Sequence, residues 1–216
     1  MSRVWMALGL LALVLLVIVG VTRHQKNKAV SADSPVTLSE VDENRPELDV
    51  ELLTVNPYSR PGTALEKVNS IVIHYTANPG ATAIANRNYF ENLKDTHTTK
   101  ASSHFVVGLE GEIVQCIPTA EIAYASNDRN SDTISIECCY KNEDGSFEQA
   151  TYDSVIKLTA WLCAKFGLTS EDVIRHYDVT GKLCPLYYVE HEDAWAQSKK
   201  AVDTSLQVYK TVDDNG

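Results

Sequence analysis

The 216-residue sequence predicts an α/β domain, a central mixed β-sheet flanked by helices, carried behind an N-terminal single transmembrane segment. Three observations lead there. Short β-branched runs alternate with longer amphipathic stretches between residues 52 and 203, the pattern of strands and covering helices. Hydrophobic residues make up 44% and charged residues 22%, which suits one folded core and excludes a wholly disordered or polytopic chain. Residues 4–21 contain no charge, and as a helix at ~1.5 Å per residue they would cross ~27 Å of hydrocarbon.

The segment that follows, Thr22-Arg23-His24-Gln25-Lys26, has no small-x-small cleavage site, so residues 1–28 read as an uncleaved anchor with a basic flank. A removed signal peptide is the alternative. Arg3 stands on one side, and Arg23, Lys26 and Lys28 on the other, which mildly opposes an extracytoplasmic domain under the positive-inside rule. Residues 29–51 are rich in Asp and Glu and read as a self-repelling linker. The net charge is −10, and all 29 acids lie beyond residue 32. No basic stripe is left for phosphates, so a nucleic-acid partner is not expected. A monomer is expected.

Asn56 to Gly62 (NPYSRPG) is a turn-rich entry to the domain of residues 52–203. Val68 to Tyr75 is a β-branched run with the pattern of a buried strand, ended by Asn78-Pro79-Gly80. Thr82 caps a helix to about Lys94, with Ile84, Tyr89 and Leu93 among its buried positions. His104 to Leu109 and Glu112 to Cys116 form a hairpin around Glu110-Gly111. Thr133 to Cys139 is a further strand. Thr151 caps a helix whose Val155, Leu158, Leu162 and Phe166 share a face, and Gly167 stops it. A short strand runs from Val173 to His176. The last helix starts near Glu190 and closes at Lys199-Lys200, leaving residues 204–216 as a polar tail.

Chemistry concentrates at strand ends. His74 ends one strand, His176 another, and Cys184 follows in HYDVTGKLCP (176–185). Zn²⁺ takes imidazole nitrogen and thiolate sulfur, and a catalytic zinc keeps three protein ligands and one open position. Two packed histidines would account for the same spacing. Glu137 interrupts an apolar strand, so it is either an edge residue facing solvent or a general base beside the metal. Cys116, Cys138, Cys139, Cys163 and Cys184 are odd in number, and adjacent cysteines alternate faces, so full pairing is not expected. The first four read as small buried hydrophobes. His97 and His191 read as surface residues.

IVIHYTANPG (71–80), SSHFVVGLEGEIVQCIP (102–118), NSDTISIECCY (130–140) and RHYDVTGKLCP (175–185) resemble the successive motifs of the zinc-dependent type-2 N-acetylmuramoyl-L-alanine amidases. Peptidoglycan recognition proteins and phage lysozyme-type amidases share that fold. The resemblance spans about Asn56 to Trp195, in the correct order. It implies Zn²⁺ held by His74, His176 and Cys184, with Cys184 where many relatives have Asp. It implies Glu137 as general base, Lys182 as stabiliser of the oxyanion, and the amide between the muramic lactyl group and L-alanine in peptidoglycan as substrate. Some relatives have a tyrosine before the His-Phe pair; Ser103 stands here and shifts proton work toward Glu137. Tyr75, Asn78 and His104 are candidates to line the substrate groove, although His104 equally suits a satisfied core histidine. The competing classes are a non-catalytic muropeptide-binding module, a thiol enzyme built on Cys184 and His176, and a zinc peptidase acting within the stem peptide.

Overall fold

The computed structural model describes residues 38–209. Its elements in chain order are α1 (Leu38–Glu43), β1 (Asp49–Val50), β2 (Ser70–Tyr75), α2 (Ala83–Thr96), β3 (Phe105–Val107), β4 (Ile113–Gln115), β5 (Thr133–Cys138), α3 (Gln149–Phe166), β6 (Val173–Arg175), α4 (His176–Thr180), α5 (Leu186–Glu190) and α6 (Glu192–Leu206). The six strands form one sheet in the order β1-β4-β3-β5-β2-β6. Only β3 and β4 pair antiparallel; β1 with β4, β3 with β5, β5 with β2 and β2 with β6 are parallel. This is the mixed sheet that alternating strand and helix signals require, because parallel neighbours need helical crossovers whereas a hairpin does not.

Alternate residues of each strand face opposite layers. Ile71, Ile73, Phe105, Val107, Ile134 and Ile136 pack with Val155, Leu158 and Leu162 of α3 and Val202 and Leu206 of α6. On the other face Val106 and Val114 pack with Ala83 and Phe90 of α2, and with Leu53 and Ile117. Helix α2 meets β3 and β4. The β2–β5 part of the same face carries His74 and Glu137 instead of aliphatic residues, and there the cleft opens.

Several expectations shift in the structure. Thr82 does cap α2, its hydroxyl accepting from the Ala85 amide at 3.2 Å, but Ile84 and Tyr89 are exposed at 43% and 51%. The buried face is Ala83, Asn86, Phe90 and Leu93, because the inward stripe is rotated by about one residue, and Asn86 satisfies itself on the Thr82 carbonyl. Helix α3 starts at Gln149, so Thr151 is inside it, with its hydroxyl donating to the Gly108 carbonyl at 2.8 Å. Gly167, at φ 66, ends α3 in the left-handed conformation as expected. The last helix continues past Lys199-Lys200 to Leu206, and buried Tyr209 joins the core, so the tail does not begin at residue 204.

The acidic segment before residue 52 is also structured over its described part. Val41 of α1 is buried in the core, Lys165 pairs with Asp42 at 2.8 Å, and β1 adds to the sheet edge. Apolar burial and ladder bonds outweigh the self-repulsion that composition suggested. The expected membrane anchor, residues 4–21, lies outside the described residues; among those described, no helix is long and apolar enough to cross a membrane.

Candidate metal centre and cleft

The register of the sheet builds the site. His74 on β2 is paired directly with Glu137 on β5, so the two side chains share a face and His74 Nδ1 lies 4.0 Å from Glu137 Oε1. Glu137 is therefore on an interior strand, not at an edge. Strand β6 flanks β2 on the other side and hands directly into α4, whose first residue is His176. The two imidazole centroids are 4.5 Å apart. Helix α4 ends at Gly181, whose φ of 76 suits glycine and lets the chain double back. The Tyr177 amide then donates to the Cys184 carbonyl at 2.9 Å, and Cys184 Sγ comes to 3.9 Å from His74 Nδ1.

Arg175 anchors this turn. Its guanidinium is buried and donates to Asp178, to the Tyr188 carbonyl at 2.8 Å and to Glu192 at 2.8 Å, tying β6, α4, α5 and α6 together at the residue before His176. The short polar helix at Asn127–Arg129 and Ser126 just before it supply the outer contacts of both histidines. His74 Nε2 is 3.5 Å from the Ser126 hydroxyl, and His176 Nε2 is 3.0 Å from Asn127 Oδ1. An Nε2–H donated outward leaves each Nδ1 lone pair for a ligand, the usual way an outer partner fixes the tautomer of a metal-binding histidine.

The donor set fits a metal ion. One ligand atom from each of His74, His176 and Cys184 can be chosen so that all lie within 4.8 Å of one another. Burial lowers the pKa of both histidines, with His176 and Lys182 adding to it at His74 and Lys182 at His176, so both are held toward the neutral form that a metal ligand requires. Burial and the charge of Glu137 push the Cys184 thiol up to about 12. A buried site of two neutral imidazoles and a disfavoured thiolate is compensated by a soft divalent cation, and such binding releases the thiol proton. Glu137 lies alongside the set: desolvation pushes its carboxyl up to about 8 against the pull of Lys182, and its buried Oε2 has no hydrogen-bond partner among the described residues.

These groups line an open cleft of about 500 Å³ together with Tyr75, Thr76, Phe90, Ser102, Tyr124 and Lys182. Of the groove candidates, Tyr75 is there, half-buried and tilted against Tyr140 at 5.1 Å between centroids. Asn78 is exposed in the turn beyond β2 and is not among the lining residues. His104 is a core residue: it is 1% exposed, Nδ1 accepts from the Ser135 amide at 3.0 Å, and Nε2 lies 2.9 Å from the Glu121 carbonyl. Burial lowers its pKa to about 4, so it stays neutral. Ser103 is likewise buried, its hydroxyl spent on the Phe105 and Ser135 carbonyls. All five cysteines are unpaired and buried. His97 and His191 are exposed, stacked on Tyr58 and Tyr187.

Sequence reasoning missed Ser126, Asn127 and Tyr124. The signal for Ser126 and Asn127 was a polar loop, Ser126 to Asp132, immediately before the strand that bears Glu137; Tyr124, two residues earlier, carried none.

Comparison with known proteins agrees with this geometry. Residues 64–186 match the family described as N-acetylmuramoyl-L-alanine amidase. The amidase CwlL of Bacillus licheniformis is 38% identical over 165 residues, covering 70% of this chain and 45% of that protein. BlyA of Bacillus subtilis (strain 168), also named an N-acetylmuramoyl-L-alanine amidase, is 35% identical, with 71% and 46% covered. The chain thus spans less than half the length of these relatives. The solved catalytic domain of XlyA superposes with a TM-score of 0.61 at 29% identity, covering 73% of this chain and 99% of that one. With more than half of its residues inside the family match, this chain belongs to the type-2 N-acetylmuramoyl-L-alanine amidase family.

Proposed function

We propose that this chain hydrolyses the amide between the lactyl group of N-acetylmuramic acid and L-alanine of the peptidoglycan stem peptide. The observation that carries the reading is the convergence of His74, His176 and Cys184 with Glu137 held alongside by strand register. Zn²⁺ in such a set supplies Lewis acidity that polarises a carbonyl and brings the pKa of a water toward ~7. Glu137, in its ionised form, takes the proton released by the attacking water at its carboxylate and returns it to the leaving amine; burial opposes that form and the nearby charge of Lys182 favours it. Lys182 brings a positive charge to the same cleft, where it offsets negative charge developing on the carbonyl oxygen. Tyr75 and Phe90 give the groove an apolar wall.

A thiol enzyme is disfavoured because burial pushes the Cys184 thiol away from its reactive form and leaves Glu137 without a task. The chain's retention of all three ligand types argues against a purely binding module. Digestion of purified peptidoglycan followed by mass analysis tests the assignment: free L-alanine amino termini are expected. Cleavage inside the stem peptide would mean a peptidase, and binding without products a recognition module.

We further propose that residues 4–21 tether the enzyme to the membrane with the domain outside, where this substrate lies. The uncharged run supports it, and the basic flank after it argues against it. Protease added to intact protoplasts removes the domain if this is right; complete protection would refute it.

A further inference from the structure

A second depression, a groove of about 680 Å³ open to solvent, adjoins the cleft and shares half-buried Tyr124 and Ala125 with it; its other lining residues are exposed Lys100 and Asn127 and half-buried Asn130. Its chemistry is one-sided. Asn130 spends its Oδ1 on the Ala125 and Ser126 amides at 3.0 and 2.6 Å, and Asn127 spends its Oδ1 on His176. Among the described residues neither side-chain NH₂ has a partner, so each remains a donor. The Lys100 ammonium lies over the Tyr124 ring, 5.4 Å from its centroid, and no carboxylate pairs with it among the described residues. In a chain of net charge −10, the walls of this groove carry a cation and two free amide donors but no acid. Tyr124 is fixed for this purpose, because its amide donates to the Ser102 hydroxyl at 2.9 Å and its carbonyl accepts from the Ser102 amide at 3.1 Å.

We propose that this groove is a carboxylate-reading subsite, with Lys100 as a specificity-determining residue. The inference rests on the amidase reading above. In that substrate the lactyl carboxyl is already consumed in the scissile amide, so the free carboxylates of this part of the molecule belong to the peptide. A donor-rich, acid-free groove next to the metal centre therefore takes the peptide half, and Lys100 with the Asn127 and Asn130 amides holds a carboxylate within a residue or two of L-alanine. A neutral carboxamide at the same position would leave the lysine charge uncompensated, which makes the subsite discriminate.

The test uses two muramoyl dipeptides that differ only after L-alanine, one with a free carboxylate and one with a primary carboxamide. Binding is measured by calorimetry to the zinc-loaded Glu137→Gln protein, which removes turnover from the reading. The carboxylate form is expected to bind about 5–10-fold more tightly, a preference that Lys100→Met reduces below about twofold and Lys100→Arg keeps. Wild-type cleavage of the same pair should show the preference in KM rather than kcat. Equal binding of the two peptides, or a preference that survives Lys100→Met, would overturn the subsite. A Lys100-dependent preference in binding with no cleavage of either peptide would support the subsite while refuting the amidase reading.

Discussion

Replacing Arg175 with Met tests whether the candidate metal ligands are held by the fold or merely decorate it. The guanidinium side chain is 8% exposed and makes charge-assisted bonds to Asp178, which is 31% exposed, and to Glu192, which is 67% exposed. The Glu192 pair is screened by water and contributes little. The Asp178 pair and the bond to the buried Tyr188 carbonyl matter more, since a charged hydrogen bond contributes roughly 1.5–3 kcal/mol and an orphaned buried acceptor costs roughly 1–3 kcal/mol. Arg175→Met should therefore cost about 3–5 kcal/mol, a large part of the ~5–15 kcal/mol that stabilises a domain. Because Arg175 also fixes the turn that presents His176, zinc affinity should fall by about 10–100-fold, the usual effect of losing an outer partner. Urea unfolding of the metal-free protein reads the first number and a competitive chelator titration reads the second. Arg175→Lys should fall between, keeping charge but losing the two-pronged geometry. A stability loss below about 1 kcal/mol with unchanged zinc affinity would refute the argument.

Cys184→Ser should cost more zinc affinity than the ~10–100-fold of an outer partner, because a hydroxyl is a much poorer ligand than a thiolate; metal content after dialysis checks it. Glu137→Gln should keep zinc while turnover falls about 10²–10⁴-fold, and near-normal turnover with metal bound would remove Glu137 as the base. Burial raises the Glu91 pKa, but Lys94, Thr54 and Arg87 outweigh it and hold the carboxyl at about 2 rather than 4.5. Its contribution to stability is thus complete above pH 4.5 and lost as pH falls toward 2. Glu91→Gln should cost about 1 kcal/mol at pH 7 after solvent screening, and should flatten the decline in stability across that acid range in pH-dependent unfolding.

What was readable in advance followed local chemistry. The β-branched runs around His74 and Glu137, the hairpin at Glu110-Gly111, the Thr82 cap and the Gly167 stop depend on neighbours in sequence, and each stands as expected. The misplaced features depend on tertiary contacts. Which face of α2 turns inward is set by where β3 and β4 lie, so Ile84 and Tyr89 could not be excluded from the core by periodicity alone. Thr151 looks like a cap until the Gly108 carbonyl is known to sit opposite it. Residues 38–50 looked like linker because their charge is local while the core that receives Val41 is not.

The site divides along the same line. Residue type and motif order pointed to His74, His176 and Cys184, since few other side chains make a nitrogen and sulfur ligand set. Their outer partners carried no such mark: Ser126 and Asn127 are ordinary loop residues until β5 is inserted in parallel between β3 and β2, which lays the preceding loop across both histidines. The same insertion pairs His74 with Glu137. A one-residue slip of β5 against β2 would turn Glu137 into the α3 core and a core aliphatic residue toward the metal centre. Burying an unpaired carboxylate there is costly, so the apolar alternation of Ile134, Ile136 and Cys138 that stabilises the correct register also places Glu137 beside His74. Core packing and the geometry of the candidate site are consequently one constraint in this domain, enforced by the opposite faces of the same strand.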